Sequence, residues 1–165
     1  MKLRELYESR EHPEQPIYYF AYGMLCSPKY MSDAVMVGVG ELKNFTYEMY
    51  VYANVLPEAG STVYGTLWSV DREKIAELDH IEGYPTLYDR KTVPVHVDGQ
   101  KFAAEVYVMT TETRRNVQGT HPSDHYIGLV AGGYKHAGVP ISQLENAISK
   151  NPPQKDDSEW DDYAR

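Results

Sequence analysis

The sequence predicts an α+β fold in which a small mixed or antiparallel β-barrel, or a curled sheet, is flanked by helices. Three observations carry this expectation. Short apolar or alternating runs follow one another with few helical stretches between them. Asp98-Gly99 stands between two such runs as a hairpin turn. Helical periodicity is concentrated in one central segment and two C-terminal ones. A meander of short strands gains from closing on itself, because closure removes the exposed edges.

In chain order, Ile17-Tyr18-Tyr19-Phe20-Ala21-Tyr22 is a continuous apolar run that reads as a buried strand stopped by Gly23. Met24-Leu25-Cys26 lead to Ser27-Pro28, a helical start with serine as N-cap and proline at the first helical position. Gly38-Val39-Gly40 lacks the third glycine and the following helix of a nucleotide fingerprint, and is read as the lead into the next strand. From Glu41 to Tyr52 the alternation of Leu42, Phe45, Tyr47, Met49 and Val51 predicts a half-buried strand. A short loop is expected from Pro57 to Ser61, then a strand from Val63 to Val70. Asp71 opens a helical pattern that runs through Ile81 and must stop near Gly83 and Pro85. Arg90–Val97 and Lys101–Met109 form the hairpin around Asp98-Gly99, and Pro122–Ala137 and Ile141–Ser149 are the last helical patterns.

A chain of 165 residues is long enough for one domain with its own core, without disulfides or metals. That domain is expected over residues 1–150. The proline-marked stretch Asn151-Pro152-Pro153-Gln154-Lys155 then leads into Asp156-Asp157-Ser158-Glu159-Trp160-Asp161-Asp162, an acidic tail over 151–165 read as a solvated terminus. The lone Cys26 cannot form an internal bridge, and Met1 to Leu6 lacks the apolar run of a leader or a spanning helix, so a cytoplasmic setting and no membrane partner are expected. With 16 basic against 24 acidic residues the net charge is −8, which repels phosphate backbones and argues against a nucleic-acid partner. Oligomeric state is not legible.

The candidate catalytic group is Glu82. It sits among apolar and aromatic neighbours in Leu78-Asp79-His80-Ile81-Glu82-Gly83-Tyr84-Pro85, at the end of a helical pattern, where a carboxyl can have its pKa raised toward working pH and serve as a general base. The candidate anion seat is the strand-to-helix turn at Gly23, where consecutive N–H groups and a helix N-terminus can converge on a carboxylate. Other chemistry is weaker. His121 and His125 lie one helical turn apart but have no third ligand at motif spacing, so no metal is expected. Cys26 is read as buried filler and not a nucleophile. The 15 tyrosines are expected mostly in the core or in pocket walls.

Tyr22-Gly23-Met24-Leu25, Val63-Tyr64-Gly65-Thr66-Leu67-Trp68 and Leu78–Gly83 together resemble the gamma-glutamylcyclotransferase-like family, which includes gamma-glutamylamine cyclotransferases and AIG2-like proteins. Order and spacing match. So do Glu105-Val106-Tyr107-Val108-Met109-Thr110, Pro122-Ser123-Asp124-His125-Tyr126 and Gly138-Val139-Pro140, and the likeness spans residues 17–150. The resemblance implies a helix-flanked barrel that needs no metal or cofactor and releases 5-oxoproline from a small γ-glutamyl substrate. Carried over by position, it puts the substrate-binding loop on Tyr19, Phe20, Ala21, Tyr22, Gly23 and Met24, the acid/base on Glu82, and a further substrate contact on Tyr126. Met24 departs from the usual serine or threonine, which removes a side-chain hydroxyl but leaves the backbone N–H groups. Val63–Arg90, ending in Tyr88-Asp89-Arg90, is most like the γ-glutamylamine branch, while Tyr107–Pro140 is more like the branch acting on γ-glutamyl amino acids. Two rival readings are a non-catalytic binder of a small metabolite on the same fold and an interaction module working through the acidic tail.

Overall fold

A computed structural model describes residues 15–154. Five strands, β1 (Ile17–Ala21), β2 (Val35–Met49), β3 (Ala53–Val70), β4 (Tyr88–Val97) and β5 (Gln100–Met109), close a barrel in the order β1-β3-β2-β4-β5. The neighbouring strands pair antiparallel except at the closure, where β5 meets β1 in parallel with Tyr18 opposite Ala104 and Tyr19 opposite Glu105. The barrel is therefore mixed. Helices α1 (Arg72–Glu82), α2 (Thr111–Asn116), α3 (Asp124–Ala137) and α4 (Ile141–Lys150) flank it.

The small barrel is filled from β1. Phe20 is fully buried, and its ring lies against Gly40 and Gly65, which face each other across β2 and β3. A Cβ on Gly40 would come within 2.7 Å of Val95 and 3.3 Å of the Phe20 ring, and one on Gly65 would collide with the Ala21 carbonyl. These two glycines let the ring and the β1 backbone occupy space that side chains would otherwise take.

The hairpin between β4 and β5 follows its sequence signal. Asp98 and Gly99 have φ of 48° and 81°, the pair of positive angles that a two-residue hairpin turn needs. The α1 helix is bounded at both ends. The Asp71 carboxylate accepts from the Lys74 N–H at 2.8 Å, and Gly83 closes the other end in the left-handed region, with its N–H on the His80 carbonyl and that of Tyr84 on Asp79. Glu82 is thus the last helical residue.

Several expectations need correction. The stretch Pro57–Ser61 does not separate two strands: β3 continues through it, with residues 58–61 standing out opposite Asn44 alone. The glycine and proline there mark a bulge in a long β2–β3 ribbon: the register jumps between Lys43 and Phe45, Asn44 and Gly60 take positive φ, and the Gly60 N–H donates to the Asn44 side chain at 3.0 Å. The reversal falls instead at Tyr50–Tyr52, and β2 begins at Val35, six residues before Glu41. The helical start at Pro28 is a single 3-10 turn, Pro28–Tyr30, with the Ser27 hydroxyl accepting from the Lys29 N–H, and another 3-10 turn, Met24–Cys26, precedes it. The α2 helix, capped by Thr110, was not anticipated.

Of the C-terminal stretch, residues 151–154 are described. Asn151 donates from its side chain to the Met49 and Thr120 carbonyls, each at 2.9 Å. The acidic run from Asp156, and Met1 to Leu6, lie outside the described residues.

Candidate active site

A cavity of about 710 Å³ opens beside β1, between the bend that follows it, α1 and Tyr126 at the start of α3. Its walls come from sequence-distant segments, and each is fixed by a different local device.

The bend after β1 is held through its carbonyl groups. Those of six consecutive residues all accept hydrogen bonds from within the protein. Ala21 accepts from the Cys26 thiol (3.1 Å), Tyr22 from the Tyr134 hydroxyl, Gly23 from the Cys26 N–H and Met24 from the Ser27 N–H; Leu25 accepts from the Trp68 indole (3.0 Å) and Cys26 from the Thr66 hydroxyl (3.3 Å). Helix α3 packs directly on this bend at Gly133, where a Cβ would stand 3.2 Å from the Met24 oxygen and 3.3 Å from the Ser27 nitrogen. The first N–H groups of the Met24–Cys26 turn have no partner inside the turn, as at any helical start. A three-residue 3-10 turn supplies no macrodipole, however, so that part of the expected anion seat is lost.

Glu82 enters the cavity from the end of α1. It is half-buried, and among the described residues its carboxylate has no hydrogen-bond or ion-pair partner. Burial alone pushes it up from the ordinary carboxylate range to about 7. Tyrosines surround it. Tyr19, Tyr22, Tyr88 and Tyr126 are all raised, first by burial and also by the negative charge of Glu82, which puts the four hydroxyls within electrostatic reach of one carboxylate.

Glu82 is positioned by the residue one turn before it. Asp79 accepts from the Tyr107 hydroxyl at 2.7 Å and pairs with Arg90, whose guanidinium also lies 3.5 Å from Glu105. Tyr22 in turn donates to the Tyr107 carbonyl at 2.6 Å. The last turn of α1, β5 and the bend after β1 are therefore one connected network. Charge-assisted bonds of this kind contribute roughly 1.5–3 kcal/mol each.

Tyr126 closes the far side. Its hydroxyl accepts from the Ala53 N–H at 3.4 Å, its own proton has no acceptor among the described residues, and it lies 3.5 Å from where a Cβ on Gly23 would stand. Burial is the main reason that it is raised to about 12, so it stays protonated.

Tyr19, Phe20, Tyr22, Gly23, Met24, Glu82 and Tyr126 thus all line one cavity. Ala21 does not, and the Phe20 side chain is committed to the barrel interior, so any contact from these two is through the backbone. Gly23 combines φ of −125° with ψ of −135°, outside both the helical and the extended regions, and a Cβ there would stand 3.5 Å from the Tyr126 hydroxyl. Asp79, Tyr107, Tyr134 and Gly133 were not singled out by sequence reasoning. Of these only Gly132-Gly133 carries a visible signal, as glycines inside a helical pattern that call for a packing reason. Cys26 is fully buried, and its thiol is pushed up to about 12, chiefly by burial, which fits filler. His121 sits 3.1 Å from the Pro152 carbonyl, and among the described residues no group of three or more potential ligands could hold a metal. Among them too, no helix is long and apolar enough to cross a membrane.

The closed mixed barrel thus sets a half-buried carboxylate, without a partner among the described residues, across one cavity from a tightly bonded bend. The family model described as gamma-glutamyl cyclotransferase, AIG2-like, matches residues 19–127, and the chain belongs to that family. A Methanocaldococcus jannaschii protein named as a putative gamma-glutamylcyclotransferase is 32% identical over 101 residues, which span 54% of this chain and 82% of that protein. A solved structure named gamma-glutamyl cyclotransferase superposes with a TM-score of 0.72 at 21% identity, covering 86% of this chain and 90% of its own. An AIG2-like protein from Mus musculus gives a TM-score of 0.53 at 21% identity, over 65% of this chain and 85% of its own. At such identities the structures establish the shared fold.

Proposed function

We propose that this chain is a gamma-glutamylcyclotransferase that splits a γ-glutamyl amide into 5-oxoproline and a free amine, with Glu82 as general acid and base. The observation that carries this reading is the Glu82 carboxylate, without a partner among the described residues and raised by burial to about 7, facing the bend after β1 across one cavity. A base with a pKa near working pH combines a useful ionised fraction with a useful driving force.

The substrate's α-carboxylate is assigned to the N–H groups at Tyr22-Gly23-Met24, with Tyr19 lining the approach and Phe20 and Ala21 holding the strand that ends in the bend. This orients the α-ammonium toward Glu82. The carboxylate takes one proton from the ammonium, and the freed amine attacks the γ-carbonyl carbon. The new C–N bond closes a five-membered ring as the old amide C–N bond breaks, and Glu82 returns its proton to the departing nitrogen. The ring nitrogen loses a second proton and the released amine gains one, so the balance closes without water or a cofactor. Because nucleophile and electrophile share one molecule, holding the folded-back conformer accounts for several kcal/mol of the barrier. Tyr126, with a proton to donate, is assigned to the substrate carbonyl as negative charge develops there. Residues 1–150 would form the catalytic domain, with the acidic tail taking no part.

A pure binder leaves Glu82 unexplained, since a carboxylate buried without a partner costs free energy that a binding role does not recover. The test is incubation with a panel of γ-glutamyl amides and amino acids, scored for 5-oxoproline. Release from at least one is expected. No release from any, by folded protein, would overturn the reading.

A further inference from the structure

We propose that the leaving half of the substrate is an amine whose apolar or aromatic chain carries no charged group, held by Tyr52, Ile81 and Leu87. The inference rests on the cyclotransferase reading of the same cavity and names the amine that it releases.

The cavity is larger than its catalytic end requires. About 710 Å³ is in the range that encloses a drug-sized ligand, and a five-carbon glutamyl head fills only part of it. The remainder is bounded by side chains of a consistent kind. Tyr52, Ile81 and Leu87 line the cavity and yet are 56%, 61% and 54% exposed. Single exposed apolar residues are ordinary on a protein surface. These three come from the β2–β3 reversal, the end of α1 and the segment before β4, and converge on the mouth of one cavity, which is the pattern of a binding surface. Tyr52 is also fixed in place, packed edge-on against the Tyr126 ring at 5.8 Å. Ile81 and Glu82 both line this cavity from the last turn of α1, so a group seated on Ile81 shares it with the amide nitrogen that Glu82 would protonate.

The charges lining the cavity point the same way. Among the described residues its one basic lining residue is Lys74, which is buried and held by Asp33 at 3.2 Å and Glu77 at 3.6 Å. The other charged lining residues are Glu77 and Glu82, and the polar ones on the α2 side, Thr113 and Asn116, are neutral. A leaving group with a carboxylate would lose water beside the Glu82 carboxylate and find no free cation among the described lining residues. One with an ammonium would be desolvated against the apolar rim, with Glu77 already engaged by Lys74.

The experiment compares kcat/KM of the full chain for 5-oxoproline release from γ-glutamyl-benzylamide and γ-glutamyl-isopentylamide with that from γ-glutamyl-glycine, Nε-γ-glutamyl-lysine and glutathione. The two neutral amides are expected to lead by about ten-fold or more, within the range that an apolar pocket can discriminate. Ile81→Arg, on an exposed helix position, should reverse the order between the benzylamide and γ-glutamyl-glycine, and Tyr52→Lys repeats the test from another segment should Ile81→Arg fold poorly. Release that is fastest from the carboxylate-bearing compounds would overturn this inference and leave the cyclotransferase reading standing. No release from any of the five would overturn both.

Discussion

In the bend after β1, the carbonyls of Ala21 through Cys26 are all bonded, and α3 presses on them at Gly133. Across the cavity, at the end of α1, the Glu82 carboxylate has no partner among the described residues, and its burial shows as a raised pKa. The two regions differ in what their polar groups were left to do. Satisfied carbonyls hold a backbone shape and fix where N–H groups can meet a ligand. An unsatisfied carboxylate stores a desolvation cost, and that same cost makes it a base near neutral pH. Their link is Asp79, which ties the last turn of α1 to Tyr107 and Arg90, so that rigidity on one side sets the geometry of the other.

The largest effect is expected from removing the proposed base. Glu82→Gln keeps the shape of the side chain and cannot take the ammonium proton, so kcat/KM for 5-oxoproline release should fall by at least ~100-fold. The same change should stabilise the fold above neutral pH. The folded-state pKa of about 7 lies above the ordinary 4.5, so the stability tied to the protonated form is complete below 4.5 and is lost as pH rises through about 7. Glu82→Gln escapes this loss. Thermal melts should put its Tm a few degrees above wild type at pH 8, with the difference vanishing at pH 4.

A smaller but clear loss is expected at the bend. Gly23→Val would direct its side chain toward the Tyr126 hydroxyl and into the proposed seat for the substrate carboxylate, so KM should rise about ten-fold or more. Tight binding of γ-glutamyl compounds by this variant would move the seat elsewhere. The mildest change is Tyr126→Phe, which keeps the ring against Tyr52 and removes the proton donor. A three- to ten-fold drop in kcat/KM with a Tm shift of no more than a few degrees is expected. Unchanged kinetics with a lowered Tm would make Tyr126 a structural residue.

Sequence reasoning reached the parts of this molecule that are coded locally. Asp98-Gly99, the helix start at Asp71 and the Gly83 stop each depend on a few adjacent residues, and each stands where expected, with Asp71 serving as the cap. It misread Pro57–Ser61, because a proline and a glycine in a strand look alike whether the chain turns or bulges, and only the pairing of Asn44 with Gly60 decides between them. It also overestimated the helix after Ser27, where cap and proline were correct but the following residues extend only one 3-10 turn. The parallel closure of β1 on β5 joins residues more than 80 positions apart and has no local signature. The candidate site divides in the same way. Glu82 and the Tyr22-Gly23 bend were legible through their neighbours and through resemblance, whereas the Tyr22–Tyr107–Asp79–Arg90 network was hidden among 15 tyrosines that composition alone cannot rank.

The most direct test of the central claim, that burial makes Glu82 a base at neutral pH, is the pH dependence of kcat/KM for 5-oxoproline release by the wild-type chain. The ionised carboxylate must accept the ammonium proton, so activity should rise with pH along an acidic limb whose midpoint lies near 7, the value to which burial brings Glu82. A limb centred near 4.5, where an ordinary solvated glutamate titrates, would contradict it.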